Sequence, residues 1–232
     1  FKYSGGLDYS SGKYSDSETT TILYLPYRAG YKQGNFSGQI AVAWISIDGP
    51  GTVVGGGDGG VVLPSDGGES RRESGVGDTW VSLTYEIEQF PYEFGYLDVT
   101  GKLKIPTADE DKGLGTGEAD LKLVLDYMYP LGRLTPMVTL ACTKKGDPDG
   151  IDLRNVFYCS AGADWRHSKK ISFGATLDFQ QASVRGVDNP LDFFSYLSYK
   201  LSPTYSLTPY LYFGLSKGSP DVGGGLQVTF RP

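Results

Sequence analysis

The sequence predicts an all-β protein of one domain over residues 1–232, a transmembrane antiparallel up-and-down β-barrel of about twelve strands. Three observations carry this expectation. The first two are that long segments alternate apolar and polar side chains and that the links between them alternate between short and long. A third is composition, because the chain contains 33 glycines, 17 tyrosines and 11 phenylalanines. Glycine supplies tight turns and aromatic residues favour strands.

Alternation assigns a face to each strand residue, because successive side chains point to opposite sides. After the predicted turn at Gly75–Gly77, Val81 and Leu83 share one face, and Ser82 and Thr84 share the other. Further apolar faces are formed by Leu97, Val99, Leu103, Ile105; Leu121, Leu123, Leu125, Tyr127; and Ile171, Phe173, Ala175, Leu177, Phe179. A soluble sandwich also alternates, but its strands average about 5 to 6 residues. The greater length here favours a barrel in lipid.

The links predict the topology. Short links lie at 129–133, 167–169 and 201–204, and longer polar links at 106–117, 146–152, 184–190 and 218–222. Outer-membrane barrels have short periplasmic turns and long extracellular loops. If the final strand, about 223–230, descends to the periplasm, counting strands back along the chain places segment 49–75 on the extracellular side. The same count makes the strand that ends near Tyr27 a descending strand. A strand must precede it, and Phe1–Tyr9 is expected to be the twelfth.

Aromatic residues on the apolar faces fall near the two ends of the predicted strands. The short-turn end has Tyr127, Tyr129, Trp165, Tyr199 and Tyr205, and the long-loop end has Trp44, Phe157, Phe179 and Phe213. Two such girdles are typical of the two water–lipid interfaces of a barrel. We expect an integral protein of the bacterial outer membrane, whose export signal was removed before Phe1.

Motifs for catalysis, metals and nucleic acids are weak. His167, the single histidine, lies in a basic turn, and neither Gly55–Gly60 nor Gly113–Gly117 is followed by Lys-Ser/Thr and a helix. The acidic segments 109–111 and 147–152 favour solvated loops over cation sites. A net charge of −6 without a long basic cluster disfavours nucleic acid. We expect no enzyme activity, cofactor or metal.

The two cysteines are predicted to be free thiols. A symmetric hairpin over the loop near residue 148 would place Cys142 opposite residue 155 and Cys159 opposite residue 138. The thiols would then be some four residues out of register, beyond the reach of a disulfide.

The lumen is the predicted functional surface. Its charged positions are Glu86, Glu88, Asp98, Lys102, Lys104, Asp120, Lys122, Asp126, Asp164 and Asp178. One interpretation is that these charges form salt bridges with one another and fill a narrow barrel. The functional interpretation is that they line a path for polar solutes.

One predicted patch of the lumen is aromatic. A turn centred near Pro203 would make Phe194–Tyr212 and Tyr196–Tyr210 cross-strand pairs. The inward glycines Gly162, Gly174 and Gly214 are expected to leave space beside the rings. Such a wall suits an apolar or aromatic ligand, and simple packing is an equal alternative.

Several segments resemble the outer-membrane channel family named for the MetA pathway of phenol degradation. They are Asp8–Tyr14, Tyr24–Pro26, Gly75–Asp78, Gly101–Thr107 and Gly113–Gly117. The resemblance covers the first half of the chain, and the second half is similar to the family only in the spacing of its strands. It implies a channel for small hydrophobic or aromatic compounds, with an N-terminal segment that can fold into the lumen in some members.

Three functions therefore stand as hypotheses. The first is passive uptake of small hydrophobic or aromatic molecules, by a monomer in contact with outer-membrane lipid and lipopolysaccharide. Its exit route is the axis or a lateral gap beside Pro26, where the missing N–H weakens strand pairing. The second is a diffusion pore for small hydrophilic solutes, favoured by the charged lumen. The third is a lipid-modifying barrel enzyme.

Overall fold

A computed structural model describes residues 1–50, 52–54, 61–63, 71–87, 94–148, 150 and 152–232, with 52–54 and 61–63 described as backbone alone. None of these ranges contains a helix long and apolar enough to cross a membrane. The strands are β1 Lys2–Gly12, β2 Thr20–Gln33, β3 Phe36–Gly49, β4 Thr52–Val54, β5 Val61–Leu63, β6 Arg71–Val76, β7 Thr79–Glu86, β8 Tyr96–Ile105, β9 Asp120–Met128, β10 Leu134–Lys144, β11 Val156–Arg166, β12 Ile171–Gln180, β13 Leu191–Lys200, β14 Tyr205–Gly214 and β15 Val222–Phe230.

The large sheet closes on itself as an antiparallel barrel. Strands β7 to β15 pair in chain order, β15 pairs with β1, and β1, β2 and β3 complete the ring. Strands β6 and β7 both pair with β3 and occupy one position, so the ring has twelve positions. Strands β4 and β5 pair only with each other. The predicted fold class is confirmed.

The predicted strand faces agree with the exposure of the side chains. Leu83 is 58% exposed on the outer surface, whereas its neighbour Thr84 points inward and shares a hydrogen bond of 2.8 Å with Thr100. Other exposed outer side chains are Val81, Tyr85, Leu103, Ile105, Leu121, Leu123, Leu125, Phe173 and Leu177. Exposed apolar side chains on this scale mark a surface that contacts lipid or protein.

The segment at Gly75–Gly77 is not the turn that the glycines predict. Val76 pairs with Trp44 and Trp80 pairs with Ala41, so three residues on this side face two on β3. The chain therefore runs on along β3 through a β-bulge. The bulge changes the alternation, so that Val76 is exposed on the outer surface while Asp78 is buried.

Several predicted boundaries also change. The descending strand does not end near Tyr27, because β2 continues to Gln33 and forms a short turn with β3. The expected first strand exists and extends from Lys2 to Gly12. The predicted short links 129–133, 167–169 and 201–204 lie at one end of the barrel, and the predicted long links lie at the other. The link between β7 and β8, residues 87–95, is also at the short-turn end and was not among the predicted short links.

The cysteines are free, as predicted, but their register differs from the expected one. Cys142 pairs with Phe157 and Cys159 pairs with Leu140, so the two thiols are offset by two residues and not by four. Diagonal neighbours in an antiparallel pair lie about 7 to 8 Å apart, which is still too far for a disulfide.

The outer surface generates a first prediction, because the sequence expects it to face lipid. Leu83→Arg should destabilise the refolded barrel by about 2 to 4 kcal/mol, since a cation would enter the apolar layer. Thr84→Arg, one residue along and facing the lumen, is the matched control and should cost far less. Urea titration of both variants in detergent or lipid checks this, and equal losses of stability would contradict the assigned faces.

Candidate functional site

One wall of the lumen carries charge in layers. Strands β7, β8 and β9 bring together Glu86, Asp98 and Asp126 near the short-turn end. Asp126 accepts a hydrogen bond of 2.6 Å from Thr139, and Glu86 forms an exposed ion pair of 2.5 Å with Lys32. Asp98 therefore stands between two acidic residues, and Lys32 of β2 neutralises one of the three charges in this layer.

The next layer is basic. Lys102 and Lys122 are direct cross-strand partners, and the ammonium group of Lys122 lies 5.7 Å from the centre of the Tyr158 ring. A cation over an aromatic face is attracted by the ring quadrupole. This layer lies further from the short turns than the acidic one.

A buried ion cluster forms the third layer, near the long links. The ammonium group of Lys104 lies 3.3 Å from Asp78 and 3.2 Å from Asp120, and it donates a hydrogen bond of 2.9 Å to Thr116. Lys145 adds an ion pair of 3.0 Å with Asp120. Two cations and two carboxylates balance, and the side chains of Lys104, Asp78 and Asp120 are at most 1% exposed.

The ion cluster fixes the long links to the barrel wall. The amide of Ala108 donates to Asp78 at 3.2 Å, and the amide of Gly146 donates to Asp120 at 3.0 Å. Burial lowers the pKa of Lys145, and the nearby Asp120 carboxylate opposes this shift. The segment between β8 and β9 is thus held inside the barrel mouth, so Lys104 and Asp120 face inward but are covered by protein.

An apolar cluster lies beside the ion cluster and was not anticipated from the sequence. Leu114, from the link between β8 and β9, is fully buried against inward-facing Ile45 and Ile47 of β3. The remaining members are Tyr14, Ala43 and the partly buried Ile22, Tyr24 and Ala108. The signal was present, because Ala43, Ile45 and Ile47 alternate with the outward-facing Trp44.

Tyr14 reaches the apolar cluster from the link between β1 and β2. Its φ of 47° and the φ of 67° at Ser15 lie in the left-handed region, which non-glycine residues seldom adopt. The Tyr14 hydroxyl donates to Ser10 at 2.9 Å, and the Ser15 amide donates to the carbonyl of Lys217 at 2.7 Å. Burial raises the pKa of Tyr14. Two links therefore converge on the long-link end of the lumen.

The aromatic wall lies on the other side of the lumen. The predicted pairs Phe194–Tyr212 and Tyr196–Tyr210 are both observed. Strand β14 is six positions from β8 in the ring of twelve, so the aromatic wall stands opposite the charged wall. The Phe194 ring centre lies 5.4 Å from that of Tyr210 and 6.4 Å from that of Tyr212. The four rings form a continuous surface and are half-buried.

Glycines on the neighbouring strands lie beneath these rings. A side chain at Gly174 would meet the Tyr196 ring, one at Gly223 would meet the Tyr212 ring, and one at Gly225 would meet the hydroxyl end of Tyr210. The rings therefore lie over bare backbone and present their other faces to the lumen.

Carboxylates accept hydrogen bonds from the hydroxyl groups of two of these tyrosines. The Tyr212 hydroxyl donates to Asp8 at 2.8 Å, and the Tyr196 hydroxyl donates to Asp164 at 3.0 Å. Fixing the polar tip leaves the apolar ring as the exposed part of each tyrosine.

The space expected beside Gly162, Gly174 and Gly214 is not present. The Tyr196 ring covers Gly174, Thr176 and the backbone of Ala175 lie over Gly162, and Ser219 with Pro220 covers Gly214. These glycines permit close packing, and a free volume next to the rings must come from the lumen itself.

Pro26 lies at a gap of two residue pairs in the ladder between β1 and β2. Pairing of β1 with β2 stops after Gly5–Tyr27 and resumes at Asp8–Tyr24, although Pro26 itself is buried and still opposite Ala43 of β3. The outer surface beside this interruption has an apolar groove of about 490 Å³. Its lining includes Tyr3, Gly5, Tyr27, Val42 and Val228.

The other candidates lie apart from these walls. Glu88 lies outside the described residues, as do parts of the acidic segment 147–152. His167 lies at the short-turn end, with its ring centre 5.5 Å from that of Trp165. Within the described ranges, no group of three or more His, Cys, Asp or Glu residues could hold a metal ion.

Comparison with solved structures shows the fold. The COG4313 outer membrane channel from Pseudomonas putida F1 is similar over 99% of this chain and 94% of its own, with a TM-score of 0.75 and 13% identity. The NanC porin covers 99% and 100%, with a TM-score of 0.62 and 10% identity. The toluene transporter TbuX from Ralstonia pickettii covers 99% and 89%, with a TM-score of 0.53 and 12% identity.

These likenesses place the chain among barrels of the outer-membrane type. No family model matches the sequence. No curated protein matches it either. The resemblance to the family named for the MetA pathway therefore stays a prediction.

The ion cluster generates a second prediction. Lys104→Met should destabilise the barrel by about 3 to 5 kcal/mol, because it leaves two buried carboxylates with one cation fewer. Lys32→Met is the matched control, since its partner Glu86 is exposed and such pairs contribute about 0 to 1 kcal/mol. Refolding titrations measure the stability of both variants. Conductance in a planar bilayer should rise in the Lys104→Met variant, because the link between β8 and β9 is released from the ion cluster. Similar stabilities for the two variants would contradict a buried, balanced cluster.

Proposed function

We propose that this protein is a channel of the bacterial outer membrane that takes up small hydrophobic or aromatic molecules by passive diffusion. The aromatic wall carries the proposal: four rings form one surface in the lumen, and the three tyrosine rings lie over glycine backbone. Aromatic solutes stack on such faces with a stabilisation of about 0.5 to 1.5 kcal/mol beyond burial. The fold supports the location, since an exposed apolar outer surface encloses a polar interior.

The apolar cluster supports the same solute class. A molecule entering from the long-link end meets Leu114, Ile45 and Tyr14 before it reaches the lumen. An apolar solute can displace apolar contacts without leaving polar groups unpaired, whereas a hydrated solute would lose water there. The cluster therefore acts as a filter, and small movements of the link between β8 and β9 open it.

The exit is proposed to be lateral, beside Pro26. The interrupted pairing of β1 with β2 and the apolar groove outside it offer a solute a route from the lumen into lipid. Proline at position 26 cannot donate a ladder hydrogen bond. Axial release would instead require an apolar solute to pass the acidic layer of Glu86, Asp98 and Asp126.

A diffusion pore for hydrophilic solutes is the second candidate. The observation that favours it is the layered charge on β7 to β9, above all the adjacent Lys102 and Lys122. The similar structures include both a porin and a toluene transporter, so they support either solute class. A lipid-modifying enzyme stays the third hypothesis, and a monomeric state and contact with lipopolysaccharide stay predictions.

The aromatic wall generates a third prediction. Tyr196→Ala combined with Tyr210→Ala should slow uptake of an aromatic hydrocarbon into proteoliposomes by about tenfold or more, because about 1.4 kcal/mol corresponds to one decade. Ion conductance should stay the same or rise, since the lumen widens while the charged wall is kept.

The matched control lies on the same two strands. Phe193 and Phe213 are also direct cross-strand partners, but they are exposed on the outer surface. Replacing both with alanine should leave the uptake rate unchanged. Wild-type uptake by a normally folded Tyr196 and Tyr210 variant, or faster sugar flux than hydrocarbon flux in the wild type, would refute the hydrophobic channel.

A further inference from the structure

The short-turn end of the barrel carries a basic groove on one side. Three consecutive short turns, β9–β10, β11–β12 and β13–β14, meet there around a groove of about 740 Å³. It is lined by Arg133, Arg166, His167, Ser168, Lys169 and Lys200. All six side chains are exposed, and four of them carry a full positive charge.

The basic charge in this groove is not neutralised within the part of the chain that the structure describes. None of its four cationic side chains forms an ion pair there. The sequence explains why, since segments 129–144 and 165–177 contain no carboxylate. The nearest carboxylate along the chain, that of Asp164, accepts a hydrogen bond from the Tyr196 hydroxyl on the lumen side. The positive potential is therefore available to an external anion.

The turns hold the groove in a defined shape. The guanidinium of Arg166 donates to the carbonyl of Gly132 at 3.0 Å and so joins two of the turns. The Ser168 hydroxyl accepts the amides of Lys170 and Ile171 at 3.2 and 3.1 Å. The amide of Lys200 donates to the carbonyl of Lys170 at 2.8 Å, which joins the third turn.

The groove borders the apolar outer surface. Trp165, 45% exposed, stacks with Phe173 at 6.3 Å and contacts the ring of His167 edge-on. Aromatic residues of this kind lie at the level of lipid headgroups, with the apolar strand face on one side and water on the other. An anion bound here would therefore sit at headgroup depth.

We propose that this basic groove binds the phosphate headgroup of an anionic glycerophospholipid from the leaflet that faces the short turns. Charge complementarity and the position at the rim of the lipid-facing surface carry the assignment. In an outer membrane the short turns are periplasmic, and the leaflet on that side consists of glycerophospholipid. The bound lipid would fix the depth and tilt of the barrel, independently of the solute that the lumen carries.

The test uses the full chain, delipidated in a zwitterionic detergent. Native mass spectrometry would count bound short-chain phosphatidylglycerol and, separately, phosphatidylcholine of the same chain length. Wild-type protein should retain phosphatidylglycerol in clear preference. Replacing Arg133, Lys169 and Lys200 with glutamine should weaken its binding by about tenfold or more, given the contribution of each basic side chain near an anionic surface.

The matched control removes the same charge at the other end of the barrel. Lys13, Lys112 and Lys217 are exposed in the long links, and their replacement with glutamine should leave lipid binding unchanged. Equal retention of both lipids, or equal loss in the two triple variants, would overturn the proposal. Displacement of the lipid by inorganic phosphate at the same concentration would also overturn it, since the groove would then be an anion site without selectivity for lipid.

Discussion

Closure of the sheet is the constraint on which the rest of the structure depends. The pairing of β1 with β15 joins the first strand to the last, so each of the twelve positions of the ring has a hydrogen-bonded neighbour on both sides. Once the ring is closed, alternation divides each strand between an outer surface and a lumen. Polar side chains that point into the lumen must pair with one another or face the solute path.

The lumen meets this requirement differently on its two sides. On β7 to β9 the charges stand in layers, and only the layer next to the long links is covered, where Lys104 and Asp120 are partners. On β13 and β14 the side chains are aromatic rings packed over glycines. A buried ion cluster is costly unless every charge is balanced, and the balance here depends on Asp78, which the β-bulge turns inward.

Much of the fold could be predicted from local pattern. The alternation of apolar and polar side chains identified the strands. The alternation of short and long links required a further strand before the one that contains Tyr27. The Gly75–Gly77 bulge was missed because two glycines near a charged residue are equally typical of a turn. The prediction also ended this strand near Tyr27, whereas β2 continues to Gln33 and so includes Pro26, because a proline within a strand removes only one hydrogen-bond donor.

The site could be predicted only in part, for a physical reason. The pairs Phe194–Tyr212 and Tyr196–Tyr210 follow from the register of one hairpin, which is local. The ion cluster joins Asp78 in the bulge before β7 to residues of β8, β9 and the link after β10, and the apolar cluster joins two links to β3. Contacts of this kind depend on how loops fold back into the barrel, which no sequence period encodes. Cys142 shows the limit on a smaller scale, since a shift of two residues in the β10–β11 register changed its partner.

We propose that an apolar solute binds in the lumen against the aromatic wall. The most direct test is a crystal of the protein soaked in iodobenzene, with iodine located by its anomalous scattering. An iodine site is expected inside the barrel, in contact with the faces of Phe194 and Tyr210. Iodine confined to the outer surface, or bound in the lumen only at the charged wall, would contradict it.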